Sequence, residues 1–169
     1  MALDWNGKSA LPGLADRLAR AGVAVGIHDG QWYCSDELAA QALIDAYAVQ
    51  DAIAWRQAES LAIAKHLRDR VVGHISPGEM AAWPIKRAEA IAYAQSGNAA
   101  QAPMLSAEAA ARGITLGAML TKVQANANAF AALEAAIGGA DGKHRDALAA
   151  LQSFEAVLAY DLTAGWPAV

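Results

Sequence analysis

The last third of the sequence carries a long helical pattern. From Thr115 onward, apolar residues recur at spacings of three, four and seven residues: Leu116, Leu120, Val123, Ala127, Phe130 and Ile137. A glycine-rich stretch, Gly138-Gly139-Ala140-Asp141-Gly142, follows. A second pattern then places five residues on one helix face: Ala147, Leu151, Phe154, Leu158 and Leu162. Two amphipathic helices separated by a short break pack as antiparallel neighbours. The sequence therefore predicts a long C-terminal αα-hairpin within residues 104–167.

The composition favours helices in the rest of the chain as well. The chain has 169 residues, of which 56% are hydrophobic, and it is rich in alanine. Because alanine is the best helix former but buries little area, closely packed helices are favoured over a bulky core. Charged residues amount to 18%, below the usual level of about 25%, which leaves apolar surface for a partner or a second copy to cover. We predict a mainly α-helical bundle.

The first 35 residues differ from this helical remainder. Val23–His28 and Gln31–Cys34 are β-rich runs joined through Asp29-Gly30, and an Asp-Gly turn between two such runs predicts a β-hairpin. Since an isolated hairpin is marginal in water, its apolar face must rest on helices or on another protein. We therefore divide the chain into an N-terminal docking region of helix and β-hairpin (1–35), a helical segment (36–97) and the C-terminal αα-hairpin (104–167).

The middle segment contains a clear helix start, and a few residues later it contains a proline inside the helical pattern. Ser76-Pro77-Gly78-Glu79 combines an N-cap serine, a proline at the first helical position and a glutamate three residues after the cap. Pro84 then falls inside the same helical pattern. Proline removes one backbone hydrogen bond and clashes with the preceding turn, so we expect a kink or a restart there.

Charge and cysteine content exclude several classes of partner. The net charge is −4 and the pI is about 5.5, whereas binding to nucleic acid needs a concentrated positive field. One cysteine, Cys34, allows no intrachain disulfide and fits a reducing compartment. The sequence shows neither a signal-peptide pattern nor an apolar run of about 18 residues. We therefore expect a soluble intracellular protein, or one assembled in the cytoplasm and released by lysis, without a nucleic-acid or membrane partner.

No residue constellation predicts catalysis or a cofactor. The histidines His28, His66, His74 and His144 lack a second histidine at helical ligand spacing, and we expect them at the surface or at helix ends. Cys34 would act as a nucleophile only beside a base such as His28 across the hairpin. Its aromatic neighbours favour a buried thiol on a packed strand instead. We expect no metal, no cofactor and no enzymatic activity.

Two sets of apolar residues are the candidates for contact with partners. The tryptophans are either core anchors or exposed anchors for a partner, since tryptophan is enriched among binding hot spots. The candidate partner-binding residues are Trp5, Trp32, Tyr33 and Trp166. The C-terminal stripe is either packing within the αα-hairpin or a short self-association seam. It comprises Leu116, Leu120, Val123, Phe130, Ile137, Leu151, Phe154 and Leu158.

Three stretches resemble a known class of proteins. They are Glu79-Met-Ala-Ala-Trp-Pro-Ile-Lys-Arg-Ala-Glu89, Ala102-Pro-Met-Leu-Ser-Ala-Glu-Ala-Ala-Ala-Arg-Gly-Ile114 and Tyr160-Asp-Leu-Thr-Ala-Gly-Trp-Pro167. Over about residues 35–167 the chain resembles small tail-associated and tail fibre assembly-like proteins of tailed bacteriophages and prophages, whose C-terminal helical domain is uncharacterised.

The resemblance implies a non-enzymatic role, and it transfers no active-site residues. It implies a tail fibre or another tail protein as partner, with a second copy of the chain as a further candidate. The chain would act in the host cytoplasm during assembly, and a structural component would stay in the virion tail. The alternative hypothesis is a phage-encoded modulator that binds a host protein, because low charge and spare aromatic residues suit that role equally well.

Overall fold

The computed structural model describes residues 3–5, 7–28 and 31–168, apart from the side chains of residues 27, 28, 31 and 32. The described residues form seven α-helices and one small sheet. The elements are α1 (Leu14–Arg20), β1 (Val25–His28), β2 (Gln31–Cys34), α2 (Glu37–Asp45), α3 (Val49–Val72), α4 (Pro77–Ser96), α5 (Pro103–Ala111), α6 (Leu116–Ala149) and α7 (Phe154–Ala159). A short 3-10 turn, Ala99–Gln101, precedes α5. The prediction of a mainly α-helical protein with a small N-terminal β-hairpin is confirmed.

The two strands of the hairpin pair antiparallel: β2 has the predicted bounds, and β1 begins at Val25 rather than at the predicted Val23. Val25 pairs with Cys34 and Gly26 with Tyr33, and the Ser35 N–H extends the ladder by donating to the Ala24 carbonyl at 2.9 Å. The Asp29-Gly30 turn that was predicted to join the strands lies outside the described residues.

The helices begin at side chains that satisfy free backbone N–H groups. Asp36 accepts a hydrogen bond from the Ala39 N–H at 3.0 Å at the start of α2. Ser76 accepts one from the Glu79 N–H at 3.2 Å at the start of α4, where Pro77 is the first residue. Each cap satisfies one of the donors that a helix leaves free at its N-terminus. The predicted start of α4 is confirmed.

Helix α4 continues through Pro84 without a restart. Pro84 and Met80, whose carbonyl loses its hydrogen-bond donor, both lie on the exposed side of the helix. Water can therefore take over the lost hydrogen bond. The helix does not restart at Pro84, because the proline lies on a face where water can replace the lost backbone hydrogen bond; the kink that was expected as the alternative stays a prediction.

The predicted break at residues 138–142 does not exist. Helix α6 runs unbroken from Leu116 to Ala149 and includes all three glycines of that stretch. Glycine costs about 1 kcal/mol relative to alanine inside a helix, but four residues at helical spacing are buried here: Ile137, Ala140, His144 and Leu148. Their burial offsets the glycine cost. The chain leaves the helix only after Ala149, and the second helix of the predicted pair is the short α7.

The chain divides into two compact units, and α3 and α6 contribute residues to both. Unit 1 comprises Met1–Ala64 and Ala140–Gly165, and unit 2 comprises Lys65–Gly139 and Trp166–Val169. The three-segment division predicted from the sequence stays a prediction.

Each unit has its own hydrophobic core. In unit 1 the buried residues come from α1, α2, α3, α6 and α7 and from the segments that flank these helices: Leu11, Leu14, Leu18, Val23, Ala40, Ile44, Tyr47, Ala52, Ile53, Leu148, Val157 and Leu162. In unit 2 a smaller cluster joins α4, α5 and α6: Ala90, Ala102, Leu105, Ala109 and Met119. Within the described part of the chain, no helix combines the length and apolar character needed to cross a membrane.

Candidate functional site

An open cleft of about 500 Å³ lies along α1 in unit 1. Its described lining is uncharged and mostly apolar: Trp5, Ser9, Leu14, Ala15, Leu18, Ala19, Gly22, Val23, Ala24 and Val25. Gly13 and Gly22 flank α1 with φ values of 78° and 76°, a conformation that L side chains rarely adopt. These two turns direct the chain into α1 and out of it towards β1. We call this feature the α1 cleft.

The predicted partner-binding residues occupy different positions. Trp5 is partly buried, packs against the core of unit 1 and lines the α1 cleft. Tyr33 lies on β2 with 56% of its surface exposed. Trp166 is partly buried and belongs to unit 2. The side chain of Trp32 lies outside the described residues. The structure therefore brings Trp5 to a cleft and leaves Tyr33 exposed, and partner binding by these residues stays a prediction.

A second cleft of about 500 Å³, also in unit 1, is lined in part by Arg17, Tyr47 and Asp51, whose polar groups contact one another or the backbone. Arg17 Nη1 lies 2.9 Å from Asp51 Oδ2, and the Arg17 guanidinium lies 5.7 Å from the centre of the Tyr47 ring. The Tyr47 hydroxyl donates to the Pro12 carbonyl. Burial raises the pKa of Tyr47, and the nearby Asp51 carboxylate raises it further while Arg17 opposes both. These groups hold the chain before α1 against α3.

His144 is buried on α6 and anchors the C-terminal segment of unit 1. It is only 5% exposed, which overturns the expectation of a surface or capping histidine. Its Nε2 lies 2.9 Å from the Ala164 carbonyl and its Nδ1 lies 2.9 Å from the Tyr160 hydroxyl. A carbonyl only accepts hydrogen bonds, so Nε2 carries a proton and donates to Ala164, while Nδ1 hydrogen-bonds the Tyr160 hydroxyl. Both ring nitrogens are thus engaged in holding residues 160–164.

The residue types of a nucleophilic triad lie near one another here, but their bonding differs from that of a triad. Ser60 is fully buried, and its hydroxyl donates directly to Asp141 Oδ1 at 2.7 Å. A triad requires the histidine to accept the serine proton while the carboxylate orients the histidine. His144 instead bonds Tyr160 and Ala164. The Ser60–Asp141 bond therefore ties α3 to α6 within unit 1.

Two further contacts hold the same C-terminal segment. Arg56 Nη2 donates to the Tyr160 carbonyl at 2.6 Å, while its Nη1 pairs with Glu59 at 2.7 Å. The hydroxyl and the N–H of Thr163 donate to Asp161 Oδ1 at 2.7 and 2.8 Å, and these hydrogen bonds lower the pKa of the Asp161 carboxyl. Residues 160–164 are therefore fixed by side chains of α3 and α6 and by their own turn.

Polar side chains in unit 2 likewise connect elements of the fold. The Glu89 carboxylate accepts hydrogen bonds from the N–H groups of Met104 and Leu105, at 3.1 and 2.9 Å, and so caps α5 from the neighbouring helix α4. Glu108 on α5 pairs with Lys86 at 2.6 Å and with Arg112 at 2.9 Å. The hydrogen bond from Lys86 is the main cause of a lowered pKa for Glu108, although partial burial opposes it.

The predicted self-association or hairpin-packing residues fall into three groups. Leu116, Leu120 and Val123 pack against the core of unit 2, and Leu151 and Phe154 pack against that of unit 1. Ile137 is fully buried. Phe130 contacts Trp83 edge to face at 5.5 Å with 36% of its surface exposed, and Leu158 is 48% exposed. A role for these residues in self-association stays a prediction.

Ser60, Glu89 and His144 were not identified from the sequence as residues that hold distant segments together, because their partners are far away in the sequence. Glu89 and Met104 are 15 residues apart, and Ser60 and Asp141 are 81 apart. For His144 a local signal existed, since Ala140, His144 and Leu148 follow one another at helical spacing. The predicted break at residues 138–142 concealed it. Cys34 is a free, partly buried cysteine that packs against the unit 1 core.

Comparisons with known proteins add no relative. The chain matches no family model, no curated protein and no solved structure. The resemblance to tail-associated proteins stays a prediction from the sequence. Among the residues that the structure describes, no group of three or more His, Cys, Asp or Glu side chains is placed to hold a metal ion.

Proposed function

We propose that this chain is a non-enzymatic protein that acts by binding a phage tail polypeptide. It serves either as an assembly chaperone for a tail fibre or as a small structural component of the tail. Unit 1 provides the docking surface for that polypeptide, and the α1 cleft with the adjoining hairpin is the docking site.

The α1 cleft is the observation that carries this proposal. The residues described in its lining carry no charge, and Trp5 forms part of its wall. Tyr33 on the adjacent hairpin is 56% exposed. Tyrosine and tryptophan are enriched among the residues that dominate binding energy, and partly apolar concave surfaces are where partners bind. The site therefore suits an apolar side chain of another protein.

The polar side chains inside the fold form structural hydrogen bonds, which supports a binding role. His144, Ser60 and Glu89 each bond a group on another part of the fold and so hold segments in place. A rigid scaffold lowers the entropy cost of binding because less has to be ordered when the partner docks.

The proposal that the partner is a phage tail polypeptide rests on the sequence alone. It rests on the three stretches 79–89, 102–114 and 160–167, which resemble tail-associated and tail fibre assembly-like proteins. Stretches 79–89 and 102–114 lie on α4 and α5 of unit 2, away from the hairpin in the sequence. Residues 1–34, which include most of the α1 cleft, lie outside the resemblance and are therefore the place to expect what is specific to this chain.

Affinity capture from phage-producing cells tests the proposal. The tagged chain should recover a tail fibre or other tail polypeptide in a stoichiometric complex. Mass spectrometry of purified particles then separates the two roles, since a structural component stays in the particle and a chaperone is found only in the lysate. Stoichiometric recovery of a host protein instead would overturn the proposal in favour of a host modulator.

Two variants of matched exposure locate the binding surface. Tyr33 and Leu61 are 56% and 55% exposed, and both belong to unit 1. Tyr33→Ala should weaken the captured complex by about 2 kcal/mol if Tyr33 is a hot spot, whereas Leu61→Ala should leave it unchanged. Equal affinities for the two variants would remove Tyr33 from the docking site.

A further inference from the structure

We propose that the partner docks as an extended, basic segment that adds a third strand to the outer edge of β1 and inserts an apolar side chain into the α1 cleft. This inference rests on the proposed function, and it specifies the chemistry of the segment that the site would bind.

The first support is the outer backbone edge of β1, which pairs with no other strand among the described residues. Ser35 donates to the Ala24 carbonyl at 2.9 Å, which makes Ala24 and Ser35 a hydrogen-bonded pair. Bonded and non-bonded pairs alternate along an antiparallel ladder, so Val25 and Ile27 form non-bonded pairs with β2. Their N–H and C=O groups therefore point away from β2. Within the described residues the sheet has two strands only, and such an edge is a template for another strand.

The second support is that this edge begins at the cleft. Val23, Ala24 and Val25 line the α1 cleft, and Val25 is also the first residue of β1 whose backbone faces outward. A strand paired with Val25 and Ile27 would therefore run past the mouth of the cleft. Alternate side chains of an added strand point to the same face, so that one of them can enter an adjoining pocket.

The third support is the charge of unit 1. Its residues, Met1–Ala64 and Ala140–Gly165, include twelve Asp and Glu but only six Lys and Arg, a net charge of −6. Opposite charges steer association and like charges oppose it. Pairing of two copies through β1 would bring two acidic units together, whereas a basic segment from another protein would be attracted. The observations thus favour a basic partner segment over a second copy.

Synthetic peptides test the mode of binding directly. The probe is the alternating peptide Lys-Val-Lys-Leu-Lys-Val-Lys, and its acidic counterpart has Glu in place of Lys. Isothermal titration with the full chain should detect the basic peptide and show at least about tenfold weaker binding of the acidic one. Failure of the basic peptide to bind, or equal binding of both, would overturn the proposal.

Methylated peptides separate strand addition from simple apolar contact. Successive N–H groups of a strand point to opposite edges, so methylating alternate amides blocks one edge at a time. One of the two methylated forms of the basic peptide should bind at least about tenfold more weakly, and the other should bind like the parent. Equal binding of both forms would rule out an added strand.

Two proline variants place the strand on β1. Val25 and Cys34 face each other in a non-bonded pair, and both pack partly against the unit 1 core. Proline removes the outward N–H at either position without removing a ladder hydrogen bond. Val25→Pro should weaken peptide binding by about tenfold or more, while Cys34→Pro, on the opposite edge, should stay within about twofold. Equal weakening of peptide binding by the two variants would contradict the assignment of the added strand to β1. If either variant fails to fold, the two methylated peptides decide whether a strand is added.

The failure of this inference is distinguishable from the failure of the proposed function. If the chain captures a tail polypeptide and Val25→Pro binds it as well as wild type does, the function stands and strand addition is wrong. If the basic peptide binds as described but no tail polypeptide is captured, strand addition stands and the tail function is wrong.

Discussion

At the scale of single residues, a few side chains hold distant segments together. His144 is the clearest case, because its two ring nitrogens bond the Tyr160 hydroxyl and the Ala164 carbonyl from within a buried environment. An unpaired buried polar group costs about 1–3 kcal/mol. The stability of unit 1 should therefore depend on this one histidine.

Replacing His144 should destabilise the protein strongly. His144→Ala leaves Tyr160 and Ala164 without their partner and opens a cavity, so we expect the free energy of unfolding to fall by about 3 kcal/mol. Urea denaturation measures the change. The exposed His66 supplies the control, and His66→Ala should change the stability by less than about 0.5 kcal/mol. A similar, small effect of both variants would show that the His144 contacts contribute nothing.

A side chain at Gly13 should destabilise the protein more than one at Gly113. Its φ is +78°, and an added Cβ would lie 2.3 Å from Trp55 Cδ1. Gly113 has a φ of +64° with open space around it, so Gly113→Ala should cost only the backbone strain of about 1–2 kcal/mol. Gly13→Ala should cost about 1–3 kcal/mol more, because Trp55 must also move. Equal melting temperatures of the two variants would contradict the close approach of Trp55 to Gly13.

Glu108 should make the stability depend on pH in the acid range. Its pKa is lowered in the folded protein, chiefly by the hydrogen bond from Lys86. Its stabilising contribution is therefore complete above the unfolded value of 4.5 and is lost as the pH falls through the lower folded pKa. Wild type should be more stable than Glu108→Gln at pH 7, and the difference should shrink below pH 4.5. Urea denaturation across this range would contradict the pairing if the difference stayed constant.

At the scale of elements, local signals predicted the start of α4 and the two strands but not the length of α6. Ser76-Pro77 and the two strands around the Asp29-Gly30 sequence could be predicted because their determinants are neighbours in the sequence. The length of α6 could not, because burial of Ile137, Ala140 and His144 outweighs the local preference of three glycines for a turn. The start of α7 had a signal in Ser153, which accepts from the Ala156 N–H at 3.2 Å.

Because α6 is continuous, replacing a glycine inside it by alanine should stabilise the protein, whereas the same change in a turn should destabilise it. Gly139 lies inside the helix, and an added Cβ would meet nothing within 4 Å. Gly139→Ala should therefore raise the free energy of unfolding by roughly 0.5–1 kcal/mol. Gly97 is the matched control, because it ends α4 with a φ of +67° in open space. Gly97→Ala should lower the free energy of unfolding. Destabilisation by Gly139→Ala in thermal melts would indicate a turn at residues 138–142.

At the scale of the whole molecule, the two units differ in charge. Unit 1 has a net charge of −6, while unit 2, Lys65–Gly139 and Trp166–Val169, has seven basic and five acidic residues. The overall charge of −4 hides this asymmetry. Composition alone predicted a helical bundle with apolar surface to spare. It did not predict the α1 cleft, because residues 5, 9, 14, 15, 18, 19 and 22–25 form its wall only after the turns at Gly13 and Gly22.

Filling the α1 cleft tests the central claim that a tail polypeptide docks there. Ala15 is an exposed helical residue in the cleft lining, and Ala125 is an exposed helical residue of unit 2. Ala15→Trp should weaken binding of the captured tail fibre polypeptide by about tenfold or more. The added indole ring would occupy the space in the cleft that the apolar side chain of the polypeptide needs. Ala125→Trp should bind within about twofold of wild type. Equal affinities of wild type and both folded variants in isothermal titration would contradict docking at the α1 cleft.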